Sequence, residues 1–215
     1  MKWLSQNWEH VIGLMVNHLL LAIPAIVMSV IIAVPLGRLA QQKPWLGKPL
    51  LSFATLMYAV PSLPLLVIIP SVLGLPLRSS ATMIVALTLY GVALMVRTAA
   101  DGFASIDQGT HEAAIAIGHS RRSLFWKVNL PLAIPVLASG VRVVVVSTIA
   151  LVTIGALLGQ SSLGTLLTDG FQRGIVAEVL TGVVLTIVLA VLLDLLVVLA
   201  KNLLAPWVRS GRAAV

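Results

Sequence analysis

Long stretches without a charge constrain this chain more than any other feature. No Asp, Glu, Lys or Arg occurs from His10 to Gly37, Pro49 to Leu77, Ser79 to Val96 or Val143 to Thr168, runs of 28, 29, 18 and 26 residues. From Val179 to Ala200 the only charge is Asp194. A helix needs about 20 apolar residues to cross the hydrocarbon core of a bilayer. The pattern predicts an all-α membrane protein with five spans, at about 18–36, 50–73, 80–96, 134–158 and 178–203, in one domain over 1–215. Composition excludes the alternatives. Charged residues are 10% of the 215, against roughly 25% in a soluble domain. The mean hydropathy of +1.07 is the reverse of what a disordered chain needs.

The basic residues set the orientation. With the segment after span one in the cytoplasm, eleven bases face inward: Arg38, Lys43, Lys48, Arg97, Arg121, Arg122, Lys127, Arg142, Lys201, Arg209 and Arg212. Three, Lys2, Arg78 and Arg173, face outward. Positive-inside bias then predicts the N-terminus out and the C-terminus in. The net charge of +7 is mostly this bias, and bases at span ends do not form a nucleic-acid-binding face. The first apolar run is too long for a signal-peptide core and reads as a retained span, with Trp3 and Trp8 as interfacial residues before it.

Two features stand out from a plain bundle. Pro61, Pro64 and Pro70 interrupt span two. Each removes a backbone donor, which a membrane tolerates where neighbours or a wet cavity satisfy the freed carbonyls. The choice is between an ordinary kink and a transport path. The second feature is a loop over about 97–133, which is long for a connection without a function. Thr110 is expected to cap a short helix, with Glu112 in its first turn and Gly118 ending it. Ser120 is expected to cap a second short helix through Trp126, and Pro131 suits the entry to span four. Helices this short draw their stability from packing, either in a groove of another protein or on anionic lipid.

Catalytic patterns are missing from the sequence. There is no Gly-x-Ser-x-Gly, no His-Glu-x-x-His and no phosphate-binding loop, since Gly47-Lys48-Pro49 fails the pattern. His18, His111 and His119 do not form a metal-ligand set, and no cysteine is present. An ion-driven carrier should show repeated halves and several buried acids. Asp194 is the one acid inside a span, and pairing with Arg142 or Arg97 is the expected way to carry it.

The loop residues resemble a known family. Glu112-Ala113-Ala114, three residues, Gly118, nine residues, Val128, one residue and Leu130-Pro131 resemble the coupling-loop signature of ABC importer permeases. The span layout is similar too, so the resemblance covers about the whole chain. Val60-Pro61-Ser62-Leu63, Leu89-Tyr90-Gly91, Gly155-Ala156-Leu157-Leu158-Gly159 and Leu163-Gly164 are most similar to permeases for glycine betaine, choline and carnitine. A permease of the same fold for methionine or another amino acid is the alternative.

The resemblance implies a bacterial cytoplasmic-membrane subunit that holds no cofactor of its own. ATP and magnesium would be bound by separate ATPase subunits. A second permease, identical or homologous, would complete the path, and an extracytoplasmic binding protein would deliver solute. It implies that Glu112, Ala113, Ala114, Ile115 and Gly118, with Leu130 and Pro131, couple to the ATPase. Tyr58, Pro61, Ser62, Tyr90 and Thr153 are candidates for the path, with simple packing as the other reading.

Overall fold

The computed structural model describes residues 2–76 and 78–207, apart from the Lys2 side chain. Arg209 and Arg212, counted among the inward bases, lie outside the described residues. The described chain is helical throughout. Its elements are α1 (Lys2–Gln42), α2 (Pro44–Ala59), α3 (Ser62–Val72), α4 (Ser80–Ala104), α5 (Gln108–Ala116), α6 (Arg121–Leu124), a π-helical turn (Phe125–Asn129), α7 (Leu130–Ile154), a 3-10 turn (Gly155–Leu158), α8 (Leu163–Arg173) and α9 (Val176–Leu204).

Among the described residues, four helices are long and apolar enough to cross a membrane, and α2 with α3 forms a pair bent by 118° that could count as a fifth. Span two is thus broken rather than kinked. The cause is local. Proline forces the residue before it out of the helical region, and Val60 (ψ 131°) and Pro61 (ψ 136°) are both extended. Pro64 falls in the first turn of α3, where its missing N–H costs nothing. The other spans run longer than the charge map suggested, because charged and polar residues at their ends remain helical. Span one, expected at 18–36, is part of a 41-residue helix with one non-helical residue, Asn7.

The core is built on small residues. Ala22, Ala25, Ser29, Ala33 and Gly37 recur every three or four positions and are buried on one face of α1. This spacing lets helix backbones approach in a membrane. A Cβ on Gly37 would meet the Ala99 Cβ of α4 at 2.5 Å, and one on Gly91 would collide with Ser29. The Ser29 hydroxyl lies 2.7 Å from the Ala25 carbonyl and 3.1 Å from the Thr88 carbonyl of α4, so it satisfies itself while bridging helices. These contacts advance in the same direction, so α1 and α4 run parallel. Helix α7 runs against them: Gly102 neighbours Val136, Gly140 neighbours Thr98 and Gly155 neighbours Met83. Arg38, Arg97, Arg121, Arg122 and Lys127 therefore gather at one end of the bundle, called here the basic end.

Helix α8 was not anticipated. Its N-terminus is a capping box: the Gly164 N–H donates to Ser162 Oγ (3.1 Å), and the Ser162 N–H donates to Thr165 Oγ1 (3.2 Å). Ser162 Oγ also reaches the Val152 carbonyl at 3.2 Å, which ties the cap to α7. Leu163 and Leu166 are fully buried on the inner face of α8.

Candidate coupling segment and solute path

The helix α5 is set by its two ends. Asp107, not Thr110, is the cap: its Oδ2 accepts the Thr110 N–H at 2.9 Å and lies 3.3 Å from the Thr110 hydroxyl. The helix therefore starts two residues ahead of Thr110, and Glu112 lies beyond the first turn rather than in it. The Gln108 amide donates to Glu112 Oε1 at 2.7 Å and fixes that carboxylate on the helix surface. At the other end Gly118 adopts φ +90°. The Gly118 N–H donates to the Ile115 carbonyl (2.9 Å) and the His119 N–H to the Ala114 carbonyl (3.2 Å). This is a Schellman ending, which uses a left-handed residue at the first non-helical position. Glycine accepts that conformation without steric cost.

Of the residues assigned to coupling, Glu112, Ala113, Ile115 and Gly118 are exposed, Ala114 is buried, and Leu130 and Pro131 are half-buried. Ile115 and Ile117 are 52% and 79% exposed, on a helix too short to cross a membrane. The second short helix is a correction. Ser120 does cap it, accepting the Ser123 N–H at 3.3 Å. But α6, the π-helical turn and α7 form one apolar helical stretch, Arg121–Leu158, so this segment is the lower end of span four. The turn is widened just before Pro131, which cannot donate and crowds the preceding carbonyls. There the Leu130 N–H reaches back to the Phe125 carbonyl.

Behind α5 lies a cavity of about 1230 Å³, between α5, the end of α1 and the π-helical turn. The Arg38 guanidinium lies there against two neighbouring rings, 5.2 Å from the Phe103 centroid and 5.0 Å from that of Phe125, with the two centroids 6.1 Å apart. Sequence reading treated Arg38 only as a topological charge and did not single out Asn129. The available signal was that Arg38 is the first base after a 28-residue uncharged run.

The five path candidates separate into two places. Tyr58 of α2 and Tyr90 of α4 come together, with ring centroids 6.3 Å apart and planes at 52°. Tyr58 is 57% exposed and Tyr90 half-buried. Pro61 and Ser62 form the break just beyond Tyr58. Thr153 stands apart near the far end of α7. Its hydroxyl donates to the Ala150 carbonyl (2.6 Å), and its backbone packs against Gly164. Below the tyrosines an open groove is lined by Lys48, Ser52, Thr55, Leu56 and Arg97.

Asp194 pairs with Arg142 rather than Arg97. The contact is bidentate, Nε to Oδ1 at 2.6 Å and Nη2 to Oδ2 at 2.7 Å, and it joins α7 to α9. Two carboxylate oxygens facing two guanidinium donors give the geometry that best neutralises both charges. Among the described residues no group of three or more His, Asp or Glu side chains is placed to hold a metal ion.

Comparison with known proteins places this architecture. The family model described as "binding-protein-dependent transport system inner membrane component" matches residues 25–210. The chain belongs to this family. It is an inner-membrane component of a binding-protein-dependent transport system. It is 30% identical over 210 residues to the osmoprotectant import permease protein OsmW of Salmonella typhimurium, covering 95% of this chain and 96% of that one. It is 28% identical over 203 residues to the glycine betaine/carnitine/choline transport system permease protein OpuCD of Bacillus subtilis, covering 94% and 87%. It is 30% identical over 145 residues to the ergothioneine transport permease/ergothioneine binding protein EgtU of Helicobacter pylori, covering 67% of this chain and 26% of that one. A chain of the MetNI methionine ABC transporter superposes with a TM-score of 0.79 at 19% identity, over 91% of this chain and 96% of that one. At that identity the likeness concerns the fold alone.

Proposed function

We propose that this chain is the permease of an ATP-driven importer for a quaternary-ammonium osmoprotectant: glycine betaine, choline or carnitine. The observation that carries the reading is the end-to-end similarity to permeases named for osmoprotectant import or for those solutes, over nine-tenths or more of this chain. The Tyr58–Tyr90 pair fits the same chemistry. Ring faces attract a cation that cannot donate hydrogen bonds, and neither phenol has a hydrogen-bond partner among the described residues. The carboxylate is common to betaine, carnitine and amino acids; an amino acid differs in its ammonium group, which donates hydrogen bonds and calls for acceptors where a quaternary nitrogen needs only ring faces.

In this reading the basic end faces the cytoplasm and α5 docks on a separate ATPase, which binds ATP and magnesium. Exposed Ile115 and Ile117 support docking, because two large apolar side chains at the end of so short a helix call for cover. Two permeases enclose the path, since one α2–α4 groove is open on its outer side. An extracytoplasmic binding protein delivers the solute. The joint permease and binding-protein name of the Helicobacter relative is in keeping with that step. The test is binding of betaine, choline, carnitine and methionine by the cognate binding protein, followed by uptake in cells lacking other importers. Uptake of a quaternary ammonium that requires this chain is expected. Uptake of methionine alone would replace the solute assignment.

A further inference from the structure

Two hydrogen-bond donors of the cavity behind α5, the Arg38 guanidinium and Asn129 Nδ2, have no acceptor among the described residues. The Phe103 and Phe125 rings are themselves 6.1 Å apart, so both lie to one side of the Arg38 guanidinium, and no acceptor among the described residues pairs with its N–H groups. Among the described residues the ion pairs are Arg142–Asp194 and Arg173–Glu178, so none of their carboxylates meets Arg38. Glu112 is the one acid lining the cavity, and it is engaged by Gln108. Asn129 is 1% exposed and also lines the cavity. Its Oδ1 faces His111 Nδ1 at 3.3 Å, while its Nδ2 has no partner. A half-buried guanidinium and a buried amide without acceptors are costly unless an acceptor arrives. Arginine stacked on aromatic rings and presenting its edge is suited to receive a carboxylate.

The position of the cavity identifies the carboxylate's source. Its wall includes Ile115, from the exposed face of α5. Ile115 is 52% exposed and lines the cavity, so a partner that covers it lies at the cavity mouth. We infer that the ATPase receiving α5 also inserts an Asp or Glu side chain into this cavity, where Arg38 pairs with it and the Asn129 amide is the second donor. This rests on the importer reading above and adds a contact to it. Arg38 belongs to α1, and its stacking partners belong to α4 and to the π-helical turn. The ATPase would thus hold α1 and α4 directly, beside its grip on α5.

Carbodiimide, which joins an amine to a carboxylate in contact, tests this on the assembled transporter carrying Arg38→Lys. The expected product links position 38 to an acidic residue of the ATPase, located by mass spectrometry. Arg38→Glu should release the ATPase about thirtyfold faster or more, as loss of a hydrogen-bonded interface charge pair does, and Arg substituted for the linked acid should restore it. A purely structural role for Arg38 would give no such rescue. In parallel, Ile117→Cys is joined to the ATPase with a thiol reagent. If Ile117→Cys forms its adduct while position 38 links only to Glu112 or to nothing, the acidic contact is overturned and the importer reading stands. If neither position reaches an ATPase, both fall.

Discussion

At the scale of single residues, the most constrained position is Gly118. Its φ of +90° is imposed by the two hydrogen bonds that close α5, so a side chain there strains the backbone rather than a neighbour. The position has open space around it, with nothing within 4 Å of an added Cβ. A left-handed conformation costs an ordinary residue about 1–2 kcal/mol, and asparagine less. Gly118→Val is therefore expected to lose most uptake while remaining in the membrane, and Gly118→Asn to retain most of it. Uptake assays with immunoblots of membrane fractions check both, and a normal Gly118→Val transporter would refute the role. The tyrosines make a second case. If their rings hold a cation, Tyr58→Phe and Tyr90→Phe should transport nearly as well as the parent. The alanine variants should raise the half-saturating solute concentration about two- to thirty-fold, the range expected for cation–π contacts. Loss of uptake in the Phe variants would instead assign the phenol hydroxyls as the recognition groups. Gly118 was legible in the sequence because its reason is local. Arg38 was not, because the two rings that define its role lie about 65 and 87 positions away.

At the scale of elements, hydropathy located the spans but not their continuity. Charge-free runs mark what lies in hydrocarbon, and helices continue past them whenever the flanking residues tolerate helical geometry. That is why α4 extends eight residues beyond Val96 and why α6 merges with α7. Helix α8 was invisible for a different reason. Its 11 residues mix Leu163, Leu166 and Leu167 with Asp169, Gln172 and Arg173, so a search for uncharged runs passes over it. The Ser162–Thr165 cap was the signal that could have found it. The Arg142–Asp194 pair is the one element contact predicted from charge alone, and it yields a test. Asp194→Asn leaves the guanidinium without a counter-ion among apolar helices, so the melting temperature in detergent should fall. The double variant Arg142→Asn with Asp194→Asn should recover part of that loss, because neither partner is stranded. A single variant as stable as the parent would show that the pair does not bind α7 to α9.

At the scale of the whole molecule, two outward faces differ in chemistry. Helix α9 presents Val184, Val188, Leu192, Leu196 and Leu199, all more than 40% exposed and all aliphatic. That is a surface made for lipid tails. The α2–α4 face instead combines Leu56 and Tyr58 with Lys48, Ser52, Thr55 and Arg97 around an open groove. Bases and hydroxyls at that depth are costly against lipid and cheap against water or a second subunit. The partner permease is therefore expected to meet the α2–α4 face. Because the chain contains no cysteine, a single introduced thiol is unambiguous. Leu56→Cys should react with water-soluble maleimide and give a permease–permease adduct with a short thiol crosslinker. Leu196→Cys should do neither, and a spin label there should be relaxed by oxygen dissolved in the bilayer. If the adduct forms through Leu196→Cys and not through Leu56→Cys, the pairing faces are reversed. The Tyr58–Tyr90 pair would then lie on a lipid-facing surface, and the solute path would have to be sought along α9.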